Sequence, residues 1–406
     1  MTTASLAAPP AAAVPESRAL TGLRGAGALL VMLHHASLHL GLEARMPALG
    51  AVLRKGYLGV DLFFVLSGFV MCMVYGGWFT GRSASANPDA AHSQAVHSQA
   101  AHPLAAHPLA ARPLAAVAVF LVRRIARIWP LHAVVLGVLL AAGALLGSPG
   151  HSARLILANV AMVQAWGVSA AINPPAWSVS TEFLAYLLFP LLARPVLRSR
   201  AGPAVAALAI AAALAACLAL APPLGPGRRG LLDIYFNNSP LPALRCLAGF
   251  MLGMLAWRAG LAPAVRRMAR RAWAAPAALA LALAAAGVND LLALAMMPLV
   301  VLGAHHGRGL ACRLLAAQPL HGIGTLSYAA YLIHYALLFP LPPGAAPVPT
   351  VLVLYTATTF LLALIAHYAA EMPTRRLVRW LGDTFLASAR LRPSTLPRRL
   401  PPTPRS

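Results

Sequence analysis

The sequence predicts an all-α polytopic membrane protein with about ten transmembrane helices and one short partial helix. Three observations carry that expectation. First, 60% of the 406 residues are hydrophobic and only 10% are charged, with a mean hydropathy of +0.72, whereas soluble domains carry about a quarter charged residues. Second, the apolar residues fall into runs of roughly 17–22, the length a helix rising 1.5 Å per residue needs to cross a hydrocarbon core about 30 Å thick. Third, the Lys and Arg residues gather at the ends of those runs, as topology signals do. Examples are Arg123, Arg124 and Arg127, then Arg194, Arg198 and Arg200, then Arg266, Arg267, Arg270 and Arg271.

Residues 1–17 are rich in Ala and Pro. They lack a basic stretch followed by an apolar run and a small-residue cleavage site, so they read as a retained cytoplasmic tail. The transmembrane domain extends over 18–380, with spans expected at 23–42, 56–79, 129–147, 178–193, 203–221, 242–257, 274–288, 290–304, 321–339 and 350–369. The apolar stretch 155–168 is short and runs into Asn173-Pro174-Pro175, which marks a partial or re-entrant helix. With both termini on the cytoplasmic side of the plasma or inner membrane, most Arg-rich loops fall inside, and a full crossing by 155–168 would place the later ones outside. Arg45, Arg54, Lys55, Arg228 and Arg229 are the exceptions.

Two segments are of low complexity. Residues 82–116 contain pentads such as His-Pro-Leu-Ala-Ala. A five-residue step turns a helix by about 500°, so successive histidines diverge, and Pro103, Pro108 and Pro113 interrupt helix; an expanded loop is expected there, not a metal site. Residues 381–406 form a basic, Pro-rich tail.

The formal charge of +23 raises nucleic-acid binding. No aromatic-interleaved basic stripe or nucleic-acid motif accompanies the arginines, so no nucleic-acid partner is expected. Cys72, Cys217, Cys246 and Cys312 are scattered, which gives neither a disulfide framework nor a zinc site. No GxSxG, HExxH, Walker A or GxGxxG constellation rises above chance, leaving hydrolase, zinc protease, nucleotide-driven and dinucleotide chemistries unsupported.

Ionisable residues inside apolar spans are costly and face a bundle interior, so each is a candidate for function. They are His34, His35 and His39 in the first span, Asp61 in the second, Glu182 in the fourth and His334 in the ninth. Arg24 and His35 are eleven residues apart, about three helical turns and about 16 Å of rise, so they share one face. A neutral imidazole there can take a proton from a hydroxyl, and a carboxylate on its other nitrogen would raise its basicity. Asp61 and Glu182 are the carboxylates available for that, and each could equally pair with an arginine or a neighbouring helix. Arg124 and Arg127, an i,i+3 pair with Arg123 beside them, offer guanidinium forks to a polyanion; arginines at a cytoplasmic helix end also serve topology. A transporter or flippase is the competing reading of buried His, Asp and Glu. It lacks the recurring broken helices of inverted-repeat transporters.

Six ordered motifs then carry a resemblance. They are Arg18-Ala-Leu-Thr-Gly-Leu-Arg24-Gly with the Arg24-x10-His35 spacing; Gly56-Tyr-Leu-Gly-Val-Asp61-Leu-Phe-Phe-Val-Leu-Ser67-Gly-Phe; and Arg123-Arg-Ile-Ala-Arg127-Ile-Trp-Pro130. Pro175-Ala-Trp177-Ser-Val-Ser180-Thr-Glu182-Phe, Gly324-Thr-Leu-Ser327-Tyr328-Ala-Ala-Tyr331-Leu-Ile-His334 and Glu371-Met-Pro-Thr-Arg375-Arg follow. Together they resemble the acyltransferase-3 family of membrane O-acyltransferases. The resemblance implies a roughly ten-helix fold, an acyl-CoA donor such as acetyl-CoA with no metal, and a carbohydrate or natural-product hydroxyl as acceptor. It assigns catalysis to His35, Arg24, Glu182 and Asp61, donor binding to Arg123, Arg124 and Arg127, and acceptor contacts to Trp177, Ser180, Tyr328 and His334. The chain departs from the family pattern at His132, where Tyr is usual, and at Phe183-Leu-Ala-Tyr186.

Overall fold

A computed structural model describes residues 17–80, 113–224, 228–235, 238–272, 289–338 and 347–388. Most of the 82–116 segment, the expected span at 274–288 and the tail beyond 388 lie outside the described residues. Among the described residues the chain is helical, with no β-strand. The helices are α1 (Arg18–Leu40), α2 (Leu42–Arg45), α3 (Pro47–Arg54), α4 (Leu58–Thr80), α5 (Pro113–Leu145), α6 (Ala153–Val160), α7 (Ala176–Arg198) and α8 (Gly202–Leu220). They continue with α9 (Leu241–Gly260), α10 (Pro263–Ala272), α11 (Asp290–His306), α12 (Leu310–Ala316), α13 (Gln318–Ile333), α14 (Val348–Ala366) and α15 (Met372–Ser388).

Among the described residues, five helical stretches are long and apolar enough to cross a membrane, or up to seven if each of two bent pairs is one span: α9 with α10, bent by 104°, and α11 with α12, bent by 80°. The expected count of ten is not confirmed among the described residues, and the span expected at 274–288 lies outside them. The first expected span, α1, carries Arg18, Arg24 and three histidines, and α13 has only 16 residues. Both are lined with polar groups because they face other helices in place of lipid.

The layout follows from which helices hide their side chains. In the stretch Pro47–Thr80, 83% of the most apolar window is buried, against 22% for α8 and 17% for Val348–Gly382. α4 is therefore the central helix, packed by α9, α7, α11 and α1. The outer helices turn Val205, Leu208, Val353 and Leu361 outward, each more than half exposed, a surface suited to lipid.

Two local departures from the sequence reading matter for the site. α5 begins at Pro113, not near 129, because proline is favoured at the first position of a helix even though it interrupts one further in. Arg123, Arg124 and Arg127 therefore sit well inside a 33-residue helix and not ahead of it. Between α14 and α15 the chain forms one π-helical turn, His367–Glu371, a form that concentrates at functional sites.

The 155–168 stretch folds as the eight-residue α6, capped by Ser152 Oγ on Leu155 N at 3.3 Å, followed by a single 3-10 turn at Gln164–Trp166. It is docked on α5. His132 Nε2 meets the Asn159 carbonyl at 2.8 Å, and the Asn159 side chain bonds Leu155 O, Ala170 O and Ile172 N.

α1 and α13 pack at backbone distance. A Cβ on Gly324 would stand 1.9 Å from Thr21 O, so only glycine allows this approach. That contact fixes the relative height of the histidines near the far ends of both helices.

Candidate active site

The first half of the site is a pair of histidines. His35 Nδ1 lies 3.1 Å from His334 Nε2, and His334 Nδ1 lies 2.7 Å from Tyr331 O. His334 is fully buried and its own carbonyl accepts from Tyr355 Oη at 3.3 Å. The end of α13 is held in turn by α7 and the loop before it: Asn173 Nδ2 donates to Leu332 O at 2.9 Å, and Ser178 Oγ and Tyr331 Oη share a 2.8 Å bond.

These bonds decide where the protons sit. A carbonyl only accepts, so His334 Nδ1 carries its hydrogen and His334 Nε2 presents a lone pair. That lone pair accepts from His35 Nδ1–H. His35 Nε2 is thereby left as the basic nitrogen. The arrangement fixes a tautomer as a carboxylate partner would, with an imidazole in that role.

Neither candidate carboxylate occupies that place; of the alternatives the sequence left open, each takes a partner other than His35. Asp61 is 1% exposed and bound at both oxygens by Arg245, Nε to Oδ1 at 2.8 Å and Nη2 to Oδ2 at 2.6 Å. Glu182 is half-buried and accepts from Tyr186 Oη at 2.6 Å. Asp61 is committed for an electrostatic reason. A guanidinium 2% exposed needs a counter-charge more than a neutral imidazole does.

The second half is a basin of guanidinium groups. Arg124 donates to Tyr75 Oη at 2.7 Å and stacks on the Tyr75 and Tyr186 rings, 4.9 Å and 5.8 Å from their centroids. Arg123 lies 5.1 Å from the Trp78 ring and Arg127 5.4 Å from the Tyr328 ring. Arg127 is ion-paired with Glu371, whose other oxygen receives His367 Nδ1 at 2.8 Å. Arg24 and Arg375 act electrostatically on Arg127, and Arg123, Arg124 and Arg375 on Arg379. Six arginines from α1, α5 and α15 thus share one region with the Glu371 carboxylate. The Nε atoms of Arg124, Arg375 and Arg379 are buried there without a hydrogen-bond partner among the described residues, a costly state that an anion would relieve.

The remaining candidates are arranged as follows. Tyr328 donates to Ile128 O and so ties α13 to α5 beside Arg127. Trp177 lies over Arg245, 5.4 Å from ring centroid to guanidinium. Ser180 is fully buried, donates to Met162 O at 2.8 Å and accepts from Ala165 N at 3.2 Å. Both Ser180 bonds hold the loop after α6, so its side chain is occupied in structure. His34 is held by Leu53 O at 2.8 Å, and His39 is exposed.

Sequence reasoning passed over Arg245 and Asp290, although each is an ionisable residue in or beside an apolar run, the same signal that singled out Asp61. Arg375 and Glu371 were visible in the closing motif. Their role needed the π turn that swings Glu371 onto α5.

Comparison with known proteins gives one family and one relative. The family described as "Acyltransferase domain" matches residues 17–368. A protein named "Acyltransferase MdmB" from Streptomyces mycarofaciens is 30% identical over 187 residues, 44% of this chain and 39% of that protein. The match thus spans well under two thirds of the relative's length. No solved structure matches the chain.

Proposed function

The chain belongs to the acyltransferase domain family, and from that premise we propose that it is a membrane-bound O-acyltransferase that moves an acyl group, acetyl in the simplest case, from acyl-CoA to a hydroxyl of a carbohydrate or natural-product acceptor. The observation that carries the reading is the histidine pair, which leaves His35 Nε2 unprotonated at one end of the bundle, with buried and unpartnered guanidinium nitrogens at the other.

The phosphates of the donor sit among Arg124, Arg127, Arg375 and Arg379, where fork-shaped donors match phosphate oxygens. Arg24 marks the start of the path along α1, and the thioester reaches His35 about 16 Å further on, a distance the pantetheine arm bridges. His35 Nε2 takes the proton of the acceptor hydroxyl while its oxygen attacks the thioester carbon. The tetrahedral intermediate collapses with loss of the C–S bond, and the thiolate leaves with the proton from His35. His334 holds the tautomer throughout and stabilises the imidazolium that forms.

The test is purified protein in lipid nanodiscs with acetyl-CoA, following CoA thiol release and acetylated product by mass spectrometry. His35→Ala, still folded by thermal unfolding, is expected to lose product formation. Full activity of that variant would remove His35 from the chemistry, and substrate movement across vesicles without acetylation would favour transport.

A further inference from the structure

One buried polar network has no part in the chemistry above. Asp290, at the start of α11 and 1% exposed, receives Lys55 Nζ on Oδ1 at 2.7 Å, and Tyr57 Oη at 2.7 Å and Leu232 N at 2.9 Å on Oδ2. Lys55 reaches on to Arg229 O at 3.4 Å, while Arg245, already bound to Asp61, donates to Ile234 O at 3.1 Å and Tyr57 O at 3.3 Å. Each of these bonds lands on one short segment, residues 228–234 between α8 and α9, or on the Lys55–Tyr57 turn beneath it. The segment cannot shift without breaking hydrogen bonds to members of two buried ion pairs, Lys55–Asp290 and Arg245–Asp61. Gly230 marks the tightest point: a Cβ there would stand 1.8 Å from Tyr57 Oη, 2.4 Å from Asp290 Oδ2 and 2.7 Å from Lys55 Nζ.

The tether sets that segment against the catalytic end of α1. The Tyr57 ring packs edge-on against His34 with centroids 5.7 Å apart, and His34 adjoins His35. Arg229, half-buried, acts electrostatically on both histidines. Asp233 closes the turn by accepting Arg229 N at 2.9 Å. From the other side, Tyr335 meets the His35 ring edge-on at 5.3 Å, and Tyr235, 44% exposed, interacts electrostatically with Tyr335 and Arg229. This rim lies at the opposite end of α1 from Arg24 and the arginine basin.

We propose that Arg229, Tyr235 and Tyr335 are the residues that select the acceptor, forming a rim over His35 that is fixed in place by Gly230, Asp233 and the Lys55–Asp290 pair. The inference rests on the acyl-transfer reading. Two phenol rings supply flat faces and hydroxyl partners, and a guanidinium supplies several directed donors, so the rim fits a ring carrying further hydroxyls beside the one acylated. A plain alkyl alcohol offers no further hydroxyl to those side chains, and a site that hydrogen-bonds a substrate hydroxyl discriminates strongly against an analogue lacking it.

The experiment gives nanodisc-embedded protein acetyl-CoA with either a panel of methyl hexosides and deoxyhexosides or cyclohexanol. A glycoside is expected to be acetylated and cyclohexanol ignored. Tyr335→Ala and Arg229→Gln should each raise the glycoside KM about tenfold or more while the KM for acetyl-CoA stays within about twofold. Gly230→Ala should move the same constant in the same direction, with Tyr335→Ala and Arg229→Gln deciding the matter if it fails to fold. Equal use of cyclohexanol, or an unchanged glycoside KM in both variants, overturns the rim assignment while leaving acyl transfer intact. Absence of CoA release with every acceptor overturns the acyl-transfer reading itself, and the rim assignment with it.

Discussion

His334 Nε2 stands 3.1 Å from His35 Nδ1 and joins α13 to α1 across 299 positions of sequence. Two imidazoles in series behave as one unit, because the second acts only through the first, fixing its proton and stabilising its charged form. His334→Ala is therefore expected to lower kcat about a hundredfold, within the range of general acid–base contributions, with little change in the KM for acetyl-CoA. Adding His35→Ala to that variant should cost much less than the product of the two single losses, as for groups that act together. Steady-state kinetics on the two single variants and the double variant decide it, and multiplicative losses would separate the two residues.

Arg127 is held by Glu371 where the proposed donor phosphates would bind. Arg127→Lys keeps the charge and loses the fork, so the KM for acetyl-CoA should rise about tenfold. Glu371→Gln removes the competing carboxylate and should lower that KM, with a loss of thermal stability because His367 and Arg127 both lose a buried partner. Isothermal titration with CoA reads both effects. An unchanged affinity in each variant would take the basin out of donor binding.

Asp61 and Arg245, 1% and 2% exposed, form the most deeply buried of the ion pairs described. Asp61→Asn or Arg245→Met leaves one buried charge uncompensated and should destabilise the fold by about 3–5 kcal/mol. The combination Asp61→Leu with Arg245→Met should recover most of the thermal stability, since two apolar side chains replace a desolvated pair. Acceptor KM should remain raised in the double variant, because Arg245 no longer holds Ile234 O. Thermal unfolding in detergent and acceptor kinetics check the two halves separately.

Gly324 permits the α1–α13 approach that brings the histidines together. Gly324→Ala forces the helices apart, with an overpacking cost of about 1–3 kcal/mol, and should lower kcat more than it changes either KM. A variant with wild-type kcat would show that the histidine contact tolerates the displacement.

Much of the site could be read along the chain. His35 and Arg24 stood out because an imidazole and a guanidinium on one face of an apolar helix have few structural reasons to be there. Asp61 and Glu182 stood out for the same reason, yet their partners could not be read. A carboxylate in a bundle pairs with whichever cation the fold brings nearest, and for Asp61 that cation is 184 positions away. The reach of α5 was misjudged because proline opens a helix as readily as it interrupts one. Short or polar-lined helices, α1 and α13, pass through the interior and need less apolar surface than a lipid-facing span, so length and hydropathy do not count them.

What the sequence determined by itself is the solvent and the inventory: an apolar, helical chain whose few buried ionisable groups are costly enough to mark candidates for function. Tertiary structure alone decided the pairings, setting His334 against His35, Arg245 against Asp61, Glu371 against Arg127 and residues 228–234 against α1. The reason is that hydropathy is a property of each residue and survives in the linear order. A hydrogen bond or ion pair is a property of distance, and distance between positions hundreds of residues apart exists only once the helices have packed.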